Sequence, residues 1–533
     1  MVKKLLGLTL LIFTISCTCQ RKVDEAHTFK INLSPSTGIK DPLLNLDQER
    51  LKVLSLVYET LLAYAPNAQS GGDLFPVLLS ELPTLSADQL TYTFKLKNTP
   101  FHSNSKLESG RRVTSRDVIM SLLRGVKVED ASNYGNLLTG IIEGLASWVG
   151  SEEAGEWHGK NLPSGFKIIS DSEFSIRLLR KYPDFLALLT LPAFSIQPVE
   201  AMEGGKLLAA VGTGPYHFEE ASVGGANWNL LGSEQLKFSY VVVTQSLEPA
   251  VVKASDYSAL NLKLASSLVD IETVSLKGLP EHTLNELRVR RLEMLLFNIK
   301  DPVVKALGAD FRAALLSSLD SASIMNQMYR GFALNSNQFI PPGVEGALDE
   351  SPLKLLSKEA ALKKIKKALG KKKLNIIYPE TAQYWISQLQ NNLEELGDYF
   401  DFEATEVSTY LERIEKGEFQ IAPLSWEGDL PEATNFLQLY YSGSQKNTQN
   451  LSGYKSATFD AAFEKLSKLF PTPARKTLAE EAHRLVLKDL PALPLGYKKD
   501  FVVLGKRATG LNTKAFGATA LKDFLVASDA SKP

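Results

Sequence analysis

The sequence predicts an α/β protein built from several domains. Three observations lead there. The chain has 533 residues, more than one hydrophobic core usually serves, so about two to four domains are expected. Strand-like and helix-like runs interleave along most of its length. Residues 372–427 read as strand, helix, strand, helix and strand with short links, the pattern of a parallel sheet with right-handed crossovers.

Composition narrows the class. Hydrophobic residues make up 44% and charged residues 22% of the chain, the balance of a soluble globular protein. Lys and Arg number 59 against 60 Asp and Glu, so there is no basic excess for a nucleic-acid partner. The Lys-rich stretch "KKIKKALGKKK" (363–373) closes an amphipathic helical pattern and reads as a solvated face.

The chain opens with "MVKK", a basic segment, followed by "LLGLTLLIFTIS". That apolar run is too short to span a bilayer as a helix, which needs about 20 residues, and it reads as the end of a signal peptide over residues 1–16. It leads into "TISC", ending at Cys17. A small residue before a Cys at this point resembles a bacterial lipobox, with Thr14 standing where Leu is usual. The motif implies cleavage before Cys17, acylation of Cys17 and a polar tether over 17–27. The other reading is an ordinary secretory signal with an incidental Cys. Cys17 and Cys19 are the only cysteines, so the body of the chain has neither a disulfide nor a thiol nucleophile. Cleavage would remove Lys3 and Lys4 and leave a net charge of about −3.

The individual elements follow in order. "TFKINLS" (28–34) alternates as a strand, and "DQERLKVLSLVYETLL" (47–62) has helical spacing. "LTYTFKLK" (90–97) places Leu90, Tyr92, Phe94 and Leu96 on one face. "TSRDVIMSLLRGV" (114–126) begins with Thr114 as a helix N-cap and Asp117 three residues later, a capping-box start with Asp in place of Glu. "FKIISDSEFSIRLL" (166–179) reads as a hairpin around Ser170–Glu173. In "VGTGPYHFEE" (211–220), Gly212, Gly214 and Pro215 precede a strand. This lacks the third glycine and the helix of a dinucleotide fingerprint and reads as a tight turn. In the regular region, "AQYWISQLQNNLEELG" (382–397) is an amphipathic helix ending at Gly397. "STYLERIEKG" (408–417) is a helix with Ser408 as its expected N-cap. "KLNIIYP", "FDFEATEV" (400–407) and "EFQIAPLSW" (418–426) are the strands. Ligands of open parallel sheets sit beyond the carboxyl ends of the strands, which puts Trp426 and Asp429 at the ligand edge.

The usual catalytic signatures are missing from the sequence. None of the six His has a His or Cys at metal-ligand spacing. There is no G-x-S-x-G and no phosphate-binding loop. The carboxylates Asp429 and Glu432 could in principle do acid–base work, but a polar loop after a strand is the plainer reading. No cofactor or metal is expected, and no enzyme.

Several segments together resemble the large extracytoplasmic solute-binding proteins, family 5, of ABC importers that carry oligopeptides, dipeptides or nickel. The segment from Val57 to Arg124 follows that family's order of early helix, "T-F-x-L-R", "F-H-D-G" and "T-A-x-D-V-x-x-S". "VGTGPYHF" (211–218) resembles its G-T-G-P-Y turn. The segment 295–343 carries "F-N", "R-x-A-L", "D-x-x-x-I" and "I-P-P-G". "NLSGYKSATFDAAFEKL" (450–466) and "LPALPLGYKKDFVVLGKRATGL" (490–511) match two more.

The resemblance implies a two-lobed periplasmic-binding-protein-like fold of type II, in the large peptide-binder subclass, with an extra domain in the first lobe. The expected boundaries are 28–48, 186–265 and 498–533 for the base of lobe I, 49–185 for the extra domain and 266–497 for lobe II. "SWEGDLPE" is similar to the family's "W-x-x-D-x-x-E/D". This implies that Asp429 takes a peptide's α-ammonium and that Phe419–Trp426 pairs with the peptide main chain, with Ser425, Trp426 and Gly428 beside it. Glu427 and Glu432 are left with surface or loop roles. The backbone at Asn32 and Ser34 is expected along the other edge of the peptide. The implied partners are a peptide ligand, an ABC permease with its ATPase, and the membrane through Cys17, for an otherwise monomeric extracytoplasmic lipoprotein. The same fold binding a nickel chelate, an oligosaccharide or a signalling peptide stays open, as do a hydrolase and an adhesion lipoprotein.

Overall fold

The computed structural model describes residues 27–33, 40–44, 48–65, 74–103, 107, 110–127, 138–149, 151, 161–219, 228–245, 259–261, 283–286, 289, 291–329, 333–443, 450–499, 501–504 and 519–526. The expected signal peptide, tether and lipidation site at Cys17 lie outside these residues, as does Ser34. No helix among the described residues is long and apolar enough to cross a membrane.

The first part of the chain contributes β1 (Thr28–Leu33), β2 (Leu62–Tyr64), β3 (Leu74–Pro76), β4 (Thr84–Leu85), β5 (Thr91–Lys95), β6 (Phe166–Ser170) and β7 (Glu173–Arg177). It continues with β8 (Met202–Glu203), β9 (Lys206–Leu207), β10 (Tyr216–Phe218), β11 (Trp228–Gly232), β12 (Tyr240–Gln245), β13 (Ala259–Asn261) and β14 (Thr283–Glu286). The remainder supplies β15 (Arg291–Phe297), β16 (Ala333–Asn335), β17 (Leu374–Pro379), β18 (Phe400–Thr405), β19 (Ile421–Glu427), β20 (Ala492–Lys498) and β21 (Phe501–Leu504). Seven strands form one sheet in the order β10-β11-β12-β1-β13-β21-β14, and six form a second in the order β16-β20-β15-β19-β17-β18. A smaller sheet, β4-β5-β7-β6, and the pair β2-β3 belong to the inserted unit between β1 and β10.

Two lobes result, because the chain changes sheet at two neighbouring places. β14 lies in the seven-stranded sheet and β15 in the six-stranded one; the return passes from β20 to β21. β14 pairs antiparallel with β21, and β15 pairs antiparallel with β20. Paired crossings of this kind form a hinge, since two short connectors absorb the rotation of two rigid bodies.

Three apolar cores accompany this division. One packs around the seven-stranded sheet, one fills the inserted unit, and the largest fills the second lobe. They move the expected boundaries. Helix α1 (Gln48–Leu54) and residues up to Tyr58 pack into the core of the seven-stranded sheet, so the inserted unit's core begins at Leu61 rather than near 49 and runs on to Val211. β14 pairs within the seven-stranded sheet, so the second lobe begins after it rather than at 266.

Local reasons for the elements are visible. Tyr92 and Phe94 are buried on one face of β5, as the alternation predicts. Helix α2 (Ser115–Lys127) starts with the expected box: Thr114 N and Oγ1 donate to Asp117 Oδ2 at 2.8 and 2.7 Å, and Asp117 N donates back to Thr114 Oγ1 at 3.4 Å. Helix α3 (Lys358–Leu369) buries Ala361, Ile365 and Leu369 and points its lysines outward. Helices α4 (Gln383–Asn392) and α5 (Val407–Lys416) link β17, β18 and β19, and β17 is parallel to both other strands. One detail differs. Glu406, not Ser408, is the N-cap of α5, because the helix starts two residues earlier, at Val407.

The G-T-G-P-Y turn is a clasp. Gly214 N donates to Val57 O at 2.9 Å and Tyr216 N to Leu56 O at 3.0 Å. A Cβ on Gly212 would lie 2.0 Å from Val57 O, and one on Gly214 would lie 2.3 Å from Leu56 O. Glycine is needed at both places so that two backbone segments can touch.

Candidate ligand-binding site

The site is built from the end of β19. One flank of this strand pairs with β15 over its whole length, from Phe297 opposite Ile421 to Arg291 opposite Glu427. The other flank pairs with β17 only at Ile376–Ile421. The Tyr410 hydroxyl donates to the Pro423 carbonyl. From Leu424 to Trp426, no strand among the described residues lies alongside this second flank, and Ser425 is exposed. An unpaired strand edge offers N–H and C=O groups to an extended chain.

Beyond β19 the chain bends at Gly428 and Asp429 and enters helix α6 (Ala433–Leu437). Asn435 on that helix fastens the bend. Trp426 Nε1 donates to Asn435 O at 3.1 Å, and Asp429 N donates to Asn435 Oδ1 at 3.1 Å. Trp426 is half-buried and packs against the second-lobe core, so it is both a core residue and part of the site's wall. Asp429 is also half-buried. Its carboxylate stands at the carboxyl end of the strand, where a cationic group would be partly stripped of water and need a counter-charge.

The Ser425 side chain is engaged within the second lobe. Its Oγ donates to Glu293 Oε2 at 2.5 Å and accepts from Arg291 Nη2 at 3.1 Å. The same Glu293 carboxylate accepts from Tyr329 OH at 2.6 Å and Arg291 Nε at 2.7 Å. Burial opposes the Arg291 charge, but Glu293, Tyr329 and Glu427 outweigh it and raise its pKa. These bonds fasten Ser425 to Glu293, its register partner on β15.

Two sequence expectations are corrected. Asn32 lies inside the seven-stranded sheet, opposite Thr244 on β12 and Asn261 on β13. Both flanks of its backbone are therefore taken, and no open edge exists there for a peptide. Glu432, expected to have a surface or loop role, is 1% exposed. It accepts from Tyr64 OH and Arg475 Nη1, each at 3.2 Å. Sequence reasoning also missed Arg475, although a signal was present. In "ARKTLAEEAHRL", Arg475 stands on the apolar stripe of Leu478, Ala479 and Ala482, an odd place for a charge unless it is paired inside.

The profile of the bacterial extracellular solute-binding proteins, family 5 (Middle), matches residues 73–448. The chain belongs to this family. As a family 5 solute-binding protein it falls among binding proteins rather than enzymes. It is 25% identical over 464 residues to the periplasmic oligopeptide-binding protein OppA of Salmonella typhimurium, covering 81% of this chain and 83% of the relative. It is 24% identical over 505 residues to a dipeptide-binding protein of Lactococcus lactis subsp. cremoris, covering 86% and 87%. The fold is similar to that of the periplasmic binding protein DppA from Helicobacter pylori in complex with the peptide STSA. That match has a TM-score of 0.70 and 21% identity, and covers 94% of this chain and 97% of the other. The two-lobed periplasmic-binding-protein-like architecture expected for this solute-binding protein is the one observed.

Proposed function

We propose that this family 5 protein captures peptides between its lobes and delivers them to a membrane importer. The observation that carries this reading is that β19, from Leu424 to Trp426, has β15 on one flank and no strand among the described residues on the other, three residues before Asp429. An extended peptide laid along that flank would form main-chain hydrogen bonds, which recognise shape rather than sequence. Its α-ammonium would then meet the Asp429 carboxylate in a charge-assisted bond. Side chains of the ligand would enter hydrated space, which tolerates many residue types. The peptide-binding relatives support the same ligand class.

In this reading Cys17 carries a lipid that holds the protein to an extracytoplasmic membrane face, and an ABC permease with its ATPase receives the ligand. Closure around the peptide is a hinge motion about the two crossings, stabilised because the ligand touches both lobes. Native mass spectrometry of protein purified from cells tests the ligand class. The expected result is a set of co-purifying peptides of mixed sequence. A single sugar or metal chelate would replace this reading with one of a different solute.

A further inference from the structure

The segment that carries Asp429 is tied into both lobes by a buried charge cluster. Arg475 lies in the first turn of α7 (Pro473–Asp489) and is 0% exposed. Its Nη2 donates to Asp184 Oδ1 at 2.7 Å, its Nη1 donates to Glu432 Oε2 at 3.2 Å, and Nη1 lies 3.2 Å from Glu345 Oε2. Arg475, Glu345 and Glu432 belong to the second lobe. Asp184 belongs to the first, directly before the buried Phe185 of the inserted unit's core. Its other oxygen, Oδ2, accepts from Thr434 Oγ1 of α6 at 2.7 Å. From the first lobe, Tyr64 OH on β2 reaches Glu432 Oε1 at 3.2 Å. Tyr92 and Tyr182 of the first lobe also feel the charge of Asp184. Leu430, one residue past Asp429, is buried in the inserted unit's core.

Asp184, Glu345, Glu432 and Arg475 are all buried. Three carboxylates around one guanidinium is a poor way to gain stability, because desolvating them offsets most of the attraction. It is an effective way to specify one arrangement of two bodies. Parting the lobes separates both Arg475 and Thr434 from Asp184 and pulls Leu430 from its core. Charge pairs that match in one lobe arrangement and not in another make a two-position contact.

We propose that Arg475 is an interlobe latch and a positioning residue for the 428–435 segment. Through Asp184 on one lobe and Glu432 and Thr434 on the other, it couples the lobe arrangement to the placement of the Asp429 loop. The latch itself does not depend on what Asp429 binds; its consequence for ligand capture rests on the peptide-binding reading.

Hydrogen exchange on the full ligand-free chain tests the latch without any ligand. In Asp184→Asn, which changes only the first-lobe partner, protection across residues 428–437 is expected to fall at least tenfold. Protection of β15 and β20 in the second-lobe core is expected to stay as in the wild type. Arg475→Met is expected to expose the same segment, and Arg475→Lys, which keeps the charge, to restore part of the protection. Small-angle scattering of Asp184→Asn is expected to show a larger radius of gyration. Unchanged exchange at 428–437 in Asp184→Asn would overturn the latch. An equal loss in β15 and β20 would overturn it too, since it would mean general destabilisation.

Discussion

Gly428 lies against the ring of Phe436 so closely that a Cβ on the glycine would come within 2.3 Å of the ring. The glycine therefore lets the chain turn from β19 into α6 while Phe436 stays buried in the second-lobe core. Gly428→Ala forces the ring or the bend to move, and overpacking of this kind costs about 1–3 kcal/mol. Urea unfolding is expected to show that loss. Because the bend also sets Asp429, peptide affinity is expected to fall in the same variant. A variant as stable as the wild type would mean that Phe436 has room to retreat.

Asp429→Ala is expected to weaken binding of a peptide by at least about 2 kcal/mol, since removing one member of a desolvated charge pair leaves the other unpaired. Calorimetry with a peptide recovered from the purified protein checks this. N-acetylation of that peptide is expected to produce a similar loss in the wild type and little further loss in the variant. Unchanged affinity in Asp429→Ala would remove this residue from the site.

Stability should depend on the protonation of Glu432. Burial, together with the charge of Asp184, raises its pKa well above 4.5 despite the opposing pull of Arg475. A carboxyl whose folded value is raised stabilises the fold fully below its unfolded value, and that contribution is lost as pH rises through the folded value. Glu345 is raised in the same direction, first by burial. Glu432→Gln keeps the shape without the charge. Its melting temperature is therefore expected to fall less than that of the wild type as pH rises from about 5 to 9. Parallel curves would show that Glu432 keeps one protonation state across the range.

Much of this architecture was legible in local patterns. The alternation at Tyr92 and Phe94, the Thr114–Asp117 box and the strand–helix order of 372–427 all report on neighbours a few residues apart, and each appears where expected. The glycines of the 211–218 turn were legible as a turn, but not as a clasp, because their partner is the backbone of Leu56 and Val57 far earlier in the chain. Asn32 was misjudged for a related reason. Its strand is plain in the sequence, but which strands flank it is a matter of sheet order.

The sequence by itself determined the α/β class, the family resemblance and the position of Asp429 beyond a strand's carboxyl end. These depend on periodicity, capping and short motifs, whose physics acts within a few residues. Only the tertiary structure decided that β19 keeps an unpaired flank, that Asn435 fastens Trp426 and Asp429, and that Glu432 is buried beside Arg475 and Asp184. Asp184 and Arg475 stand 291 positions apart. No local pattern encodes a pairing over that distance. It arises because two lobes, each folded around its own core, close on the same four charges.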